Sequence, residues 1–271
     1  MPHLDLPGAS LYYETDGHVS SPAVLLIHAG IATLRMWDGI VPALAAGHFV
    51  IRYDARGYGE TVSESVPFSD HADALDLLDH LGIARATIVG SSRGGAIAID
   101  LAVEHADRVA GLVAIGSAPS GFPDTELTER EDAMFDELDA AFEARDWALL
   151  YDLEARLWSI GPTRDEAELD PAFVAEAYAL NRANVPHHSE SPTRTPLEHP
   201  AYYRLVDIDK PTLVTVGEHD LSVALVQYEY LLTTIPNADG CRFPASAHIP
   251  SVEQKDEFER VLLDWLADKG L

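Results

Sequence analysis

Cysteine occurs once in the 271 residues, at Cys241. A single cysteine excludes an intramolecular disulfide and any cysteine-based metal cluster. Within the short strand-like run Cys241-Arg242-Phe243 it reads as a small core residue. Cationic residues are also scarce, with 18 Lys and Arg against 45 Asp and Glu and a formal charge of −27. A surface of that sign repels phosphate backbones and anionic lipid, so neither nucleic acid nor a membrane is expected as a partner. No run approaches the ~20 continuous apolar residues of a membrane span. The opening Met1-Pro2-His3-Leu4-Asp5-Leu6-Pro7 has neither the basic start nor the apolar stretch of a secretory signal, and a soluble cytoplasmic protein is expected. The acidic residues are scattered along helix-like stretches such as 126–132, with no His/Asp/Glu set on one face, so no metal and no cofactor are expected. The adjacent His187-His188 do not face one site and read as part of a solvated, proline-punctuated loop over 185–196.

What is present is apolar and ordered. A hydrophobic content of 47% in a chain of this length can bury a large core and fits one α/β domain carrying an insertion. The most informative stretch is Ile88-Val89-Gly90-Ser91-Ser92-Arg93-Gly94-Gly95, between a buried strand over 86–89 and an apolar helix over 96–102. A G-x-S-x-G frame between strand and helix holds its serine on a tight turn with the hydroxyl exposed. Gly90 and Gly94 bracket Ser92 and exclude Ser91 from the frame, which makes Ser92 the candidate nucleophile. The Arg93 amide at the helix start is positioned to stabilise charge on a carbonyl oxygen under attack. A second such amide is expected from Gly30, after the apolar strand Val24-Leu25-Leu26-Ile27-His28. His28 itself reads as a loop brace.

A serine hydroxyl needs a base, and the base needs an orienting carboxylate. The β-branched strand over 211–217 runs into Glu218-His219-Asp220, so either Glu218 or Asp220 qualifies as the acid. His248, in the loop before a terminal helix over 252–269, is the candidate base.

These motifs together resemble the α/β-hydrolase fold superfamily, in its serine-nucleophile branch of esterases and enol-lactonase-like enzymes. Its marks here are the elbow around Ser92, the variant His28-Ala29-Gly30 loop with Trp37 downstream, Tyr53-Asp54-Ala55-Arg56-Gly57-Tyr58-Gly59, and Gly217-Glu218-His219-Asp220. The resemblance implies a mostly parallel central sheet flanked by helices, with Ser92, Asp220 and His248 as a triad and Glu218 only a neighbour of the acid. It also implies that Asp54 and Arg56 tie loops together as a buried ion pair. Serine at the elbow sets the chain apart from the aspartate-nucleophile branch that performs dehalogenation and epoxide opening.

After the buried strand over 109–115 come roughly 85 residues that read as helices over 126–144, 147–158 and 171–184, too long for a simple βα connection. The expected division is a core over 1–119 and 206–271 with a helical cap over 120–205, lying over the elbow where open α/β sheets bind ligands. The expected activity is hydrolysis of small carboxylic esters or lactones through an acyl-enzyme. Relatives with the same residues perform C–C bond hydrolysis, perhydrolysis or cofactor-free haloperoxidation, and some of the fold serve as small-ligand receptors with little turnover. The Arg93 side chain has two readings: an ion pair with an acidic residue of cap or core, or a grip on a substrate carboxylate. Oligomeric state is not legible.

Overall fold

A computed structural model describes residues 2–271. Strands β1 (His3–Leu6) and β2 (Ala9–Asp16) form an antiparallel hairpin, and β2 continues antiparallel to β4 (Phe49–Tyr53), which lies parallel to β3 (Ala23–Ile27). A short β5 (Val62–Ser63) also pairs with β2, and β6 (Pro67–Phe68) pairs with β9 (Thr193–Arg194) as a separate ribbon. From β3 the main sheet runs in parallel through β7 (Ala86–Ser91), β8 (Val109–Ile115), β10 (Thr212–Gly217) and β11 (Asp239–Phe243). The order is β1-β2-β4-β3-β7-β8-β10-β11. Strands covered on both faces must be apolar throughout, which is why β3 reads Ala-Val-Leu-Leu-Ile and is buried along its whole length.

Helices cover the two faces. On one, α2 (Asp70–His80), α3 (Arg93–Glu104) and α7 (Ser222–Thr234) pack Leu77, Ile97, Leu101 and Leu231 against the sheet. On the other, α1 (Val41–Leu44), α8 (Pro250–Glu253) and α9 (Lys255–Lys269) accompany a layer containing Val41, Phe258 and Leu262. The terminal helix expected over 252–269 is thus broken at Gln254.

Between β8 and β10 lie α4 (Glu129–Ala144), α5 (Trp147–Glu154), a π-helical turn (Ala155–Ile160) and α6 (Pro171–Arg182). Thr128 begins α4 with a capping box in which its hydroxyl accepts from the Glu131 amide while the Glu131 carboxylate accepts from the Thr128 amide. Helix α6 contributes Phe173, Ala177 and Leu180 to the core layer of α9, whereas Leu138 of α4 and Leu157 pack with Leu221 beside α7. The helix expected over 147–158 changes winding after Glu154, and the Trp158 carbonyl near the end of the wider turn accepts from the His248 amide. No helix among the described residues is long and apolar enough to cross a membrane.

Candidate active site

Ser92 sits between β7 and α3 with φ 53 and ψ −116, a sparsely populated backbone region for a residue with a side chain. The surrounding structure holds it there. Its amide donates to the Ile115 carbonyl of β8 at 2.7 Å, and its carbonyl accepts from the Ala96 amide at 3.0 Å. The flanking glycines are required by contact: a Cβ on Gly90 would lie 2.1 Å from the Gly94 carbonyl oxygen, and one on Gly94 would lie 2.2 Å from that of Ile27. Ser91, by contrast, is fully buried.

The sheet brings His248 and Asp220 together across 28 residues of sequence. His248 Nδ1 lies 2.7 Å from Asp220 Oδ2, with the Asp220 side chain fully enclosed, while Asp220 Oδ1 accepts from the Leu221 amide at 2.7 Å. A carboxylate can only accept, so Nδ1 carries the proton in this pair and Nε2 is left free. Ser92 and His248 line one cavity of about 300 Å³, whose wall includes Phe135, Trp158, Leu221 and Val223. Of the two acid candidates, Asp220 is the one that reaches the histidine. Glu218 is exposed, and its nearest cation is Arg242 at 3.9 Å.

Gly30 approaches the same corner, and a Cβ there would lie 3.8 Å from Arg93 Cβ. Neither the Gly30 nor the Arg93 amide has an acceptor among the described residues. His28 braces this loop as its position suggests. Ala55 N–H donates to Nε2 at 3.0 Å, which leaves Nδ1 to donate to the Ala29 carbonyl at 2.7 Å. Burial, with the Arg93 charge nearby, holds the ring neutral down to a pKa of about 3.

Two sequence readings change. Asp54 and Arg56 do not pair. The Asp54 carboxylate fills its own turn, accepting from the amides of Leu34 at 2.7 Å and Glu60 at 2.9 Å, while Arg56 donates through Nε and Nη2 to Asp73 at 2.7 and 2.8 Å. Burial pushes the Asp54 carboxyl up to about 6. Nor are the adjacent histidines simply solvated: the His187 ring bridges Glu190 at 2.8 Å and the Gly59 carbonyl at 2.7 Å, and His188 stacks on Trp147. No group of three or more potential ligands arranged for a metal occurs among the described residues.

Sequence reasoning missed three supports. Gly116, at φ +53, abuts the acid–base pair, and a Cβ there would lie 3.2 Å from both Asp220 Oδ2 and His248 Nδ1. Glu131 reaches beyond its own capping box to accept from the Ser222 amide and hydroxyl, both at 2.6 Å, two residues past Asp220. Glu253 accepts from the Ala247 amide at 3.1 Å, immediately before His248. A glycine ending a buried strand was one local signal; Glu253 lies only six residues beyond Ala247, whereas the Glu131 contact spans 91 residues of sequence.

Parallel sheet, serine turn and buried acid–histidine pair define a hydrolase architecture. The chain belongs to the alpha/beta hydrolase fold family, whose model matches residues 22–255. It is 28% identical over 267 residues to a 2-hydroxy-6-oxononadienedioate/2-hydroxy-6-oxononatrienedioate hydrolase of Comamonas testosteroni, covering 91% of this chain and 88% of that protein. A putative carbamate hydrolase of Caulobacter vibrioides is also 28% identical, over 94% of this chain and 95% of its own. Among solved structures, an enol-lactonase from Burkholderia xenovorans LB400 superposes with a TM-score of 0.75 at 27% identity, over 98% of this chain and 100% of that one.

Proposed function

We propose that this protein is a serine hydrolase of small carboxylic esters or lactones, with Ser92 as nucleophile, His248 as general base and acid, and Asp220 as the group that holds the imidazole. The observation that carries the reading is the 2.7 Å contact from buried Asp220 to His248 Nδ1, on a cavity that also contains the strained Ser92. In the first half-reaction Ser92 Oγ attacks the substrate carbonyl carbon as His248 Nε2 takes the hydroxyl proton. The unpartnered Gly30 and Arg93 amides receive the developing oxyanion. Collapse of the tetrahedral intermediate expels the alcohol, which leaves with the proton from His248, and an acyl-enzyme remains. Water, deprotonated by the same imidazole, then releases the acid and regenerates Ser92. In a lactone the leaving alcohol is part of the acyl chain, so nothing departs in the first half-reaction and water releases a single hydroxy acid in the second.

In this reading residues 120–205 act as a cap on a core of 1–119 and 206–271. Phe135 and Trp158 of the cap give the acyl pocket its apolar wall. A C–C bond hydrolase is the second reading, favoured by the similarity across 91% of the chain to the Comamonas dienedioate hydrolase. A turnover screen over ester chain lengths, lactone ring sizes and vinylogous diketones separates the two. Hydrolysis of esters or lactones at least an order of magnitude faster than C–C cleavage supports the first reading, and the reverse order supports the second.

A further inference from the structure

We propose that the Arg93 side chain anchors a carboxylate subsite beside Ser92, so that the substrate is an ester or lactone that also bears a free carboxylate; this rests on the hydrolase reading above. The guanidinium is held in place yet incompletely satisfied. Its Nη2 donates to Asp70 at 2.5 Å, and the Tyr58 ring lies beneath it with 5.0 Å from guanidinium carbon to ring centroid. Its Nη1 is buried with no acceptor, and Nε has none among the described residues. A buried donor left without a partner is costly and uncommon, so an arginine kept solely to pair with Asp70 is expected to have its other N–H groups satisfied too.

The location gives the orphaned donor a use. Arg93 lines the cavity that contains Ser92 and His248, and also a neighbouring cavity of about 320 Å³ bounded by Gly30, Tyr58, Tyr151 and Arg194. The two cavities share Arg93 in their walls, so a substrate whose acyl chain lies against Phe135 and Trp158 reaches the Tyr58 side only past this side chain.

Charge points to an anion for that end. Three arginines, Arg56, Arg93 and Arg194, face the second cavity against two carboxylates, Glu154 and Glu190, in a chain where acids outnumber Lys and Arg by 45 to 18. Arg56 is taken up by Asp73, and Glu190 is bonded through Oε1 to His187 while its Oε2 is buried without a partner. Glu154 accepts from the Asn181 amide group at 3.0 Å, and burial pushes its carboxyl up toward the neutral form. Asp70 is shared, with Oδ2 3.9 Å from Arg194 Nη1 as well as Oδ1 on Arg93. Two guanidiniums around one carboxylate leave one positive charge, which a single substrate carboxylate neutralises while supplying the missing acceptor. On the far side of Arg93 a third cavity contains His71 and Asp100, and the latter is bonded to Ser120 at 2.7 Å.

The test compares mono-4-nitrophenyl adipate with 4-nitrophenyl hexanoate, acyl chains of equal length with and without a terminal carboxylate. The wild type is expected to favour the adipate ester in kcat/KM. In Arg93→Met combined with Asp70→Asn, which removes both members of the buried pair and leaves only the largely exposed Arg194 without its carboxylate neighbour, the adipate-to-hexanoate ratio is expected to fall at least tenfold. Arg194→Gln, a change at a largely exposed side chain, keeps the test available if the double variant does not fold, and lowers the same ratio several-fold. A ratio unchanged within twofold in the folded variants overturns the proposal. If the wild type cleaves neither ester, the hydrolase reading fails separately. Calorimetry of free adipate on Ser92→Ala, with and without the arginine changes, then decides the subsite: binding weakened at least tenfold supports it, and equal or absent binding overturns it.

Discussion

Replacing Glu253 by glutamine should loosen the loop that carries His248 and destabilise the whole fold. Glu253 ends α8 and forms a buried bidentate pair with Arg164, Nη1 to Oε1 at 2.5 Å and Nη2 to Oε2 at 3.0 Å. Its Oε2 also accepts from the Ser246 hydroxyl and the Ala247 amide, both at 3.1 Å. An amide in place of the carboxylate turns one accepting edge into a donor facing the guanidinium. Breaking a buried pair from one side typically costs about 3–5 kcal/mol, because a charge is left without its counter-ion. Arg164 retains the carbonyls of Ser159, Ile160 and Ala245 as acceptors, which argues for the lower end, about 3 kcal/mol. For a chain of this size that is a fall in Tm of roughly 5–6 °C. Since the loosened contacts lead directly into His248, kcat should fall more than KM rises. Scanning calorimetry and steady-state kinetics on the favoured ester read both effects. A Tm within 1 °C of wild type, roughly 0.5 kcal/mol, together with undiminished kcat would refute the role given to this pair.

Asp100 gives a pH-dependent case. Burial and the nearby Asp70 and Glu104 charges outweigh the Ser120 hydrogen bond and push its carboxyl up to about 6 from 3.8, so between these values the folded state binds more protons than the unfolded state. Stability therefore falls as pH rises through that window. Asp100→Asn is expected to be more stable than wild type by about 2 kcal/mol at pH 7.5, allowing for partial exposure, and equal to it near pH 3.5; urea melts at both values check this. Gly116→Ala forces a side chain to φ +53 and sets a Cβ 3.2 Å from the Asp220 and His248 contact atoms. The backbone alone should cost about 1–2 kcal/mol, and kcat should fall at least tenfold, against a contrary result of wild-type kinetics in a folded variant. Asp220→Asn should lower kcat by about 10³–10⁴, whereas Glu218→Gln, at an exposed position, should change it less than twofold. The reverse pattern would mean that Glu218 is the acid.

Much of the site is legible in sequence because its chemistry depends on local turns. Gly90 and Gly94 around Ser92, and the apolar runs of β3, β7, β8 and β10, are patterns of a few residues, and each lies where its pattern indicates. The fate of Asp54 shows where such reading ends. A carboxylate two residues from an arginine suggests a pair, but amides of Leu34 and Glu60 satisfied Asp54 first, and Arg56 found Asp73 in α2. Phe135 and Trp158 fall in the stretches read as helices over 126–144 and 147–158, but their place in a cavity wall is not legible there, since the facing of a helix depends on what it packs against. Arg93 combines both outcomes: it pairs with Asp70, as one reading expected, and still carries donors without acceptors.

The central claim, that Ser92 is the nucleophile, is tested most directly by a fluorophosphonate probe followed by peptide mapping. A single adduct on the peptide containing Ser92 is expected in the wild type and in Ser91→Ala, with none in Ser92→Ala. An adduct that persists in Ser92→Ala, or one lost on replacing Ser91 in a folded protein, would contradict the account.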